Sequence, residues 1–450
     1  MIGSHRVLEE LQRLVKRSTA EATSVSLEAT TRRVSRFAYD TIHQDLLQES
    51  ATVSVKVIHQ QRVGVAITDT FERASLQRTL EAARTIARHA PPTKDLPPLP
   101  GRYQIITTQD HDRATAEAPA GQFIATLQRL FRICQGVDTR LAGSFSTGED
   151  ERAVVNSNGV ACYAASTVSG VKLVTMYRAL SGFASRVSPR LAHLDPDACL
   201  EDALKQCLHR REPIRLPTGV HEVILDPEAV AELVIWLGAI AFGAKSVQER
   251  TSFMVGRMGE QVMDRRLTIV DDASHPDGLH RPFDAEGVRT QRVSLIERGN
   301  AAGLVYDTAY GALYHHPSTG HALPPDEVDG PLPLHLVVEP GTTPRAELIR
   351  ACARGIFIPR FHYVSGLLNP REALMTGLTR EGACLIEDGK LTTPITTMRF
   401  TQSCLEAFRH VRGISRERRL IADPTQDAGC AIMPTLHLAK FRFTGRSEDS

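Results

Sequence analysis

The groups best suited to chemistry in this 450-residue chain are a few histidines, carboxylates and thiols, and their spacing limits what they can do. His315, His316 and His321, in YHHPSTGHA, form the densest histidine cluster. They support either a metal or substrate-carboxylate site, or a loop whose Ser318-Thr319-Gly320 turn presents backbone donors while the histidines are partly solvated. The loop is the simpler reading, because adjacent histidines rarely converge on one ion and no carboxylate neighbours these in sequence. His221, Glu222 and Asp226 match an HExxxD pattern that would tempt a metal assignment. On a strand, however, His221 and Glu222 point to opposite faces and cannot share an ion. Asp271-Asp272 and Asp284-Glu286 have the look of acid pairs for general catalysis, yet the commoner use of such carboxylates is to order a loop by accepting backbone hydrogen bonds.

These groups need elements to position them, and the stretch 219–262 is the centre of the arrangement. Residues 221–225 alternate as a strand does, Asp226-Pro227 ends it, and residues 228–242 run apolar at helical spacing around the only tryptophan, Trp236. So apolar a helix is expected to be buried. Upstream, residues 6–17 and 72–89 carry helical periodicity, while SVSLEA, TVSVKVI and RVGVAITD between them alternate as strands. The run APPTKDLPPLPG, residues 90–101, holds five prolines and reads as an extended connection. Helices follow at 119–134 and 196–210, with strands near 140–147, 151–155 and 160–177 and a tight turn at Asn156-Ser157-Asn158-Gly159. The repetition across residues 20–210 hints at two related units.

Beyond the central helix, LTIVDD, RVSLIE, AGLVYD and LHLVVEPG are short apolar runs suited to a curved sheet or partial barrel. Residues 343–354 read as a helix with Thr343 as N-cap and Pro344 at the first helical position. Asp388-Gly389 marks a hairpin turn, and residues 409–419 read as a solvated helix face and its exit. The fold class is α+β: N-terminal α/β-type units, then a strand-rich C-terminal domain around a buried helix. Domains are expected at 1–100, 101–217 and 218–450.

Composition excludes several function classes. With 53 basic and 52 acidic residues, no global field draws in nucleic acid or an anionic membrane. Eight cysteines, scattered without CxxC pairs, suit reduced thiols in the cytoplasm better than a disulfide framework. The amino terminus lacks a basic-then-apolar signal pattern, and the longest apolar run is too short to span a bilayer. A soluble, cytoplasmic protein with a peptide or protein partner is expected.

The order PEAVAELV, SVQERTSFMVGRMGEQV, LTIVDDASHPDGLHRPFDAEGVRTQRVSLIERGNAAGLVYDTAYG and STGHA resembles the C-terminal domain of the TldD/PmbA (TldD/TldE) family of bacterial and archaeal metallopeptidases. Near the start, RFAYDTIHQDLLQESATVSVKVIHQQRVGVAITD resembles the family's first domain. In the catalytic TldD-type subunit an HExxxH helix carries two histidine ligands and the glutamate that activates water. Counting back from TSFMVGRMGEQV, those positions fall here on Ile235, Trp236 and Ile240. None offers the imidazole, thiolate or carboxylate that zinc requires, nor a basic group for the bound water. Cys430, in DAGCAIMPTLHL, stands where catalytic relatives place a cysteine implicated as a metal ligand, but without its histidine companions. It is either a vestigial ligand or a small buried hydrophobe; were an ion retained, Cys430 with His321 or His437 would be the first suspects. The TGD-type signature of better-known TldE proteins appears as MTGLTREGACLIEDGK, without the Asp, which marks a divergent branch.

The resemblance implies a TldE/PmbA-like subunit: non-catalytic alone, without a cofactor of its own, paired as a heterodimer with an HExxxH-bearing, zinc-holding TldD-like partner, and acting on small unfolded peptides. It places Ser318, Thr319, Gly320 and His321 near the substrate cleft. Two other readings stand open, an active homo-oligomeric metallopeptidase using Cys430 with His321, and a peptide-binding scaffold without hydrolytic activity.

Overall fold

The computed structural model describes residues 1–207, 211–426 and 429–446. Its first half runs α1 (Ser4–Arg17), β1 (Ala22–Ala38), β2 (Thr41–His59), β3 (Arg62–Thr68) and α2 (Arg73–His89). It continues with β4 (Tyr103–Asp110), the single turn α3 (Arg113–Ala116), α4 (Ala120–Gly136), β5 (Arg140–Asn156), β6 (Val160–Tyr177), β7 (Leu180–Ser188) and α5 (Pro196–Cys207). Helix, three-strand meander, helix thus occurs twice. Antiparallel pairing of β1 with β5 joins both meanders in one sheet, ordered β3-β2-β1-β5-β6-β4 with β7 also on β6. Residues 1–100 and 101–217 therefore contribute strands to a single sheet. The strands expected at 140–147 and 151–155 are one, because β1 and β6 pair with the polar residues between them from either side. The last three positions of the helix expected at 196–210 lie outside the described residues.

Strand alternation gives this sheet two chemically different faces. Val25, Leu27, Val55 and Tyr163 pack in one cluster with Leu11 of α1 and Leu80 of α2, while Phe37, Phe145 and Leu173 pack with Leu127 of α4 and Leu200 of α5. The opposite face carries Arg32, Asp150 and Cys162 and meets the C-terminal half. There Val154, Val160 and Cys162 close on Phe283, and Arg281 reaches Glu28 at 3.3 Å.

The second half holds β8 (Gly219–Leu225), α6 (Pro227–Ala241), α7 (Ala244–Gln248), β9 (Ile269–Asp271), β10 (Val293–Glu297), β11 (Asn300–Ala301), α8 (Thr308–Leu313), β12 (His335–Val338) and α9 (Arg345–Arg350). It ends with β13 (Arg354–Ile358), β14 (Phe361–Asn369), β15 (Leu374–Thr379), β16 (Cys384–Glu387), β17 (Lys390–Pro394), β18 (Met398–Ser403), α10 (Cys404–Phe408), β19 (Val411–Ile421) and β20 (Cys430–Arg446). The sheet path β11-β10-β9-β12-β20-β8-β13-β16-β17 keeps two free ends, so it curves without closing into a barrel. The fold is α+β with a strand-rich C-terminal region. Positive φ at both Asp388 (48°) and Gly389 (72°) gives the β16–β17 hairpin the turn its twist favours.

Three local readings are corrected. Residues 302–307 form no strand of their own; Val305 makes only an isolated bridge with Gly243. The helix expected at 343–354 is the short α9, with Pro344 rather than Thr343 at its N-cap, because Thr343 is held by a bridge to Ser415. Residues 411–421 are a strand, not a helix face: Val411 and Ile414 enter the core, and their alternation was hidden among long arginines.

Helix α6 begins with Pro227 at a position whose missing N–H costs nothing, and packs Val230, Leu233, Val234, Leu237 and Ala241 into the largest core. It is not buried all round. Glu228, Glu232, Ile235 and Ala239, at helical spacing, form an accessible stripe, and Ile235 is 46% exposed. Trp236 is half-buried, packed on the core at its rim with Gly366 close against its ring. Trp236→Ala is therefore expected to cost about 2 kcal/mol, short of the ~3–5 kcal/mol of a fully buried tryptophan. Chemical denaturation would check it, and a loss in the full-burial range would contradict this rim placement.

Candidate functional site

The accessible stripe of α6 forms one wall of a cleft of about 320 Å³. Lys172 of β6 and Ser185 of β7 face it from the N-terminal sheet, and Asp423, just after β19, and Cys430, the first residue of β20, close it from the other side. A further hollow of about 280 Å³, lined by Arg32, Asp150 and His280 among others, shares Asp423 and Gly429 with it. The cleft thus runs along the junction of the two sheets.

Almost every charge in the cleft is already satisfied. Lys172 Nζ donates to Asp423 Oδ2 at 2.9 Å; burial opposes ionisation of Asp423, but the Lys172 and Thr425 donors outweigh it and hold the carboxyl below its ordinary range. Arg360 Nε donates to Glu381 Oε2 at 2.7 Å, and its guanidinium lies 4.1 Å from the centre of the Phe183 ring. Glu228 accepts from the Ser185 hydroxyl across the cleft. Glu232 differs, because no hydrogen bond or ion pair to it occurs among the described residues. Its carboxyl is open to the cleft yet surrounded by protein, and its pKa is raised by this burial and by Glu228, against the pull of Arg360 and Lys172.

The expected vestigial positions do not form one site. Ile235 faces the cleft, Trp236 packs at the rim of the core beside Gly366 and does not line the cleft, and Ile240 is in the core at 6% exposure. Cys430 stands on the far wall, where Sγ accepts the Leu279 N–H at 3.5 Å and burial pushes the thiol up to about 12. Among the described residues, no set of three convergent metal-ligating side chains includes Cys430. His437 is seven residues along the same strand, ~23 Å away at ~3.3 Å per residue.

Nor does the histidine loop converge. His321 is buried, with Nε2 at 2.9 Å from Asp271 Oδ2 and Nδ1 at 2.9 Å from the Thr319 hydroxyl. Asp271 also accepts the His335 N–H at 2.7 Å; burial works against its charge, but His321 and His335 hold its pKa low. His316 instead stacks on Tyr306 at the surface, and His315 is exposed. None of Ser318, Thr319, Gly320 and His321 lines either of these two hollows. Their hydrogen bonds fold the loop instead. Asp284 likewise orders its loop, accepting N–H bonds from Glu286, Val288 and Ala322, each at 2.9 Å. His221 bonds the Pro217 carbonyl, and Asp226 is held by Arg345 and Thr435, so the HExxxD residues share no ion.

Sequence reasoning missed Lys172, Glu228, Glu232 and Arg360 as cleft residues. The i, i+4 pair of glutamates on an otherwise apolar helix was the available signal.

With this geometry in place, comparison with known proteins is decisive for the family. A model of the PmbA/TldA metallopeptidase C-terminal domain matches residues 218–445. The chain belongs to the PmbA/TldD family. Metalloprotease PmbA of Escherichia coli O157:H7 is similar to this family member, with 26% identity over 296 residues, 63% of this chain and 65% of that protein. A metalloprotease TldD homolog of Haemophilus influenzae is 26% identical over 225 residues, 49% of this chain and 46% of that protein. The chain thus spans somewhat less than two thirds of the first of these curated relatives and about half of the second. The crystal structure of TldE from Thermococcus kodakarensis shares the fold, with a TM-score of 0.86 at 19% identity over 98% of this chain and 99% of that one. A Thermotoga maritima structure titled a putative modulator of a DNA gyrase matches with a TM-score of 0.84 at 16% identity, over 97% and 99% of the two chains.

In this PmbA/TldD member, ionising Glu232 beside Glu228 costs the fold stability. Because its folded pKa is raised, that cost is absent in acid, where Glu232 is protonated folded or unfolded, and grows as pH rises through the ordinary carboxylate range. Glu232→Gln is expected to raise Tm near neutral pH and to leave it unchanged in acid, as followed by circular dichroism. Equal Tm values at both pH values would contradict this electrostatic account.

Proposed function

We propose that this chain is the non-catalytic subunit of a TldD/TldE-type metallopeptidase and shapes a peptide cleft completed by an HExxxH-bearing partner. The reading is supported by helix α6: counted from the family resemblance, the ligand and base positions hold Ile235, Trp236 and Ile240, of which only Ile235 lines the cleft, and the cleft keeps Cys430 without companions. Zinc does not fit this donor set, which has a single thiol and otherwise hydrocarbon and indole where imidazole and carboxylate are needed. The partner would supply the zinc and the water-activating glutamate. This chain would supply a wall with paired charges and one free carboxylate, and an unfolded peptide would bind largely through main-chain hydrogen bonds that are indifferent to its sequence.

An exposed apolar patch supports a partner. Strand β14, whose Gly366 lies against Trp236, exposes Tyr363 at 78%, Leu367 at 66% and Leu368 at 51%. Clustered apolar side chains of this size on a surface mark a protein contact. Among the described residues no helix is long and apolar enough to cross a membrane. The cysteines, scattered without CxxC pairs, suit reduced thiols, and on that ground we place the complex in the cytoplasm.

Two measurements test the proposal. The purified chain alone is expected to cleave no peptide, and its mixture with the HExxxH-bearing family member of the same organism is expected to cleave unfolded peptides in a chelator-sensitive way. Cleavage by the chain alone would overturn the reading, and association without cleavage in the mixture would favour a peptide-binding scaffold. The double substitution Leu367→Asp, Leu368→Asp is expected to abolish co-elution of the two chains on size exclusion while leaving the circular dichroism spectrum unchanged. Undiminished co-elution would remove β14 from the interface.

A further inference from the structure

On the face of the C-terminal sheet away from α6, three side chains of metal-ligating type meet. Glu222 of β8, His437 of β20 and Cys352, just before β13, bring one ligand atom each to within 4.8 Å of one another. Glu222 Oε1 lies 2.7 Å from His437 Nε2, and Glu222 Oε2 accepts from Arg412 Nη1 at 2.5 Å. Cys352 and His437 are buried, and Glu222 is nearly so. Strands β20, β8 and β13 are consecutive in the sheet, so residues far apart in sequence are brought together by neighbouring strands. The backbone makes room for the sulfur: a Cβ on Gly355 would stand 2.6 Å from Cys352 Sγ.

We propose that Glu222, Cys352 and His437 bind a divalent cation of the zinc type that clamps β20, β8 and β13 together, a site separate from the cleft and from the family's HExxxH position. Carboxylate, thiolate and imidazole are all donors that zinc accepts, and three of them leave a fourth position for water. Arg412 would remain as the partner that orients the carboxylate from outside the ligand set. Uptake exchanges protons for the cation: the S–H bond of Cys352 breaks, a sulfur–metal bond forms and H⁺ is released to solvent, while the proton in the 2.7 Å contact between His437 Nε2 and Glu222 Oε1 passes to Nδ1 of the same ring and frees both atoms as donors.

Cobalt(II) titration of the reduced full-length chain tests the site without any activity assay. One equivalent is expected to give a near-ultraviolet thiolate-to-cobalt charge-transfer band and to raise Tm, with zinc displacing the band. Cys352→Ser is expected to abolish it, and Cys430→Ser to leave it intact. Absence of the band in the wild-type chain, or its persistence in Cys352→Ser, would overturn the proposal. If Cys352→Ser does not fold, X-ray absorption on the zinc-loaded wild-type chain decides: one sulfur scatterer with nitrogen and oxygen neighbours is expected, and a shell with no sulfur or several would refute the assignment.

Discussion

The structure depends on how helix α6 is held. Its apolar residues leave no amphipathic compromise on three sides, so it must sit in the concavity of the C-terminal sheet, where Val223 and Leu225 of β8 and Leu436 and Leu438 of β20 meet it. Burial of this kind contributes ~1.5–3 kcal/mol for each large side chain, and Val230, Leu233, Val234, Leu237 and Ile240 together fix the helix. Only the stripe from Glu228 to Ala239 escapes. What faces that stripe, Lys172, Phe183 and Ser185 of the N-terminal sheet and Leu334, Arg360 and Asp423 of the C-terminal half among others, becomes a cleft wall by consequence.

The cleft is then shaped by charge pairing across the two halves of the chain. Lys172 with Asp423 and Ser185 with Glu228 tie the N-terminal sheet to the C-terminal half, together with His280 and Asp110 at 2.9 Å. Exposed pairs of this sort add little stability, but they fix spacing. Glu232 is left over in this arrangement. A carboxylate that the fold penalises and does not partner is a liability unless something cationic meets it.

Much of this was legible in the sequence because period and composition act locally. The strand and helix of residues 219–242, the Asn156–Gly159 turn and the Asp388-Gly389 hairpin are written in alternation, helical spacing and residues that tolerate positive φ. The exposed stripe of α6 was not, because hydrophobicity alone cannot say which side of an apolar helix the fold leaves open. β19 was misread because arginine stems can cover apolar surface while their charges stay in water, which masks alternation. His321 was placed near substrate by resemblance, while its partner Asp271 lies fifty residues earlier on β9, whose register against β12 fixes where that carboxylate stands. Long-range register of this kind has no local signal.

Strand β8 connects the two regions of chemical interest and also keeps them apart. Successive side chains point to opposite faces, so Val223 and Leu225 belong to the α6 core while Glu222 and Ile224 look outward, toward His437 and Cys352. The same alternation that rules out an ion shared by His221 and Glu222 turns Glu222 toward His437. A cation on the outer face would therefore have the thickness of the sheet between itself and Ile235. Such an ion could stiffen the strands that support α6 but could not activate water in the cleft, so metal content in this chain and hydrolytic competence are separate properties that have to be measured separately.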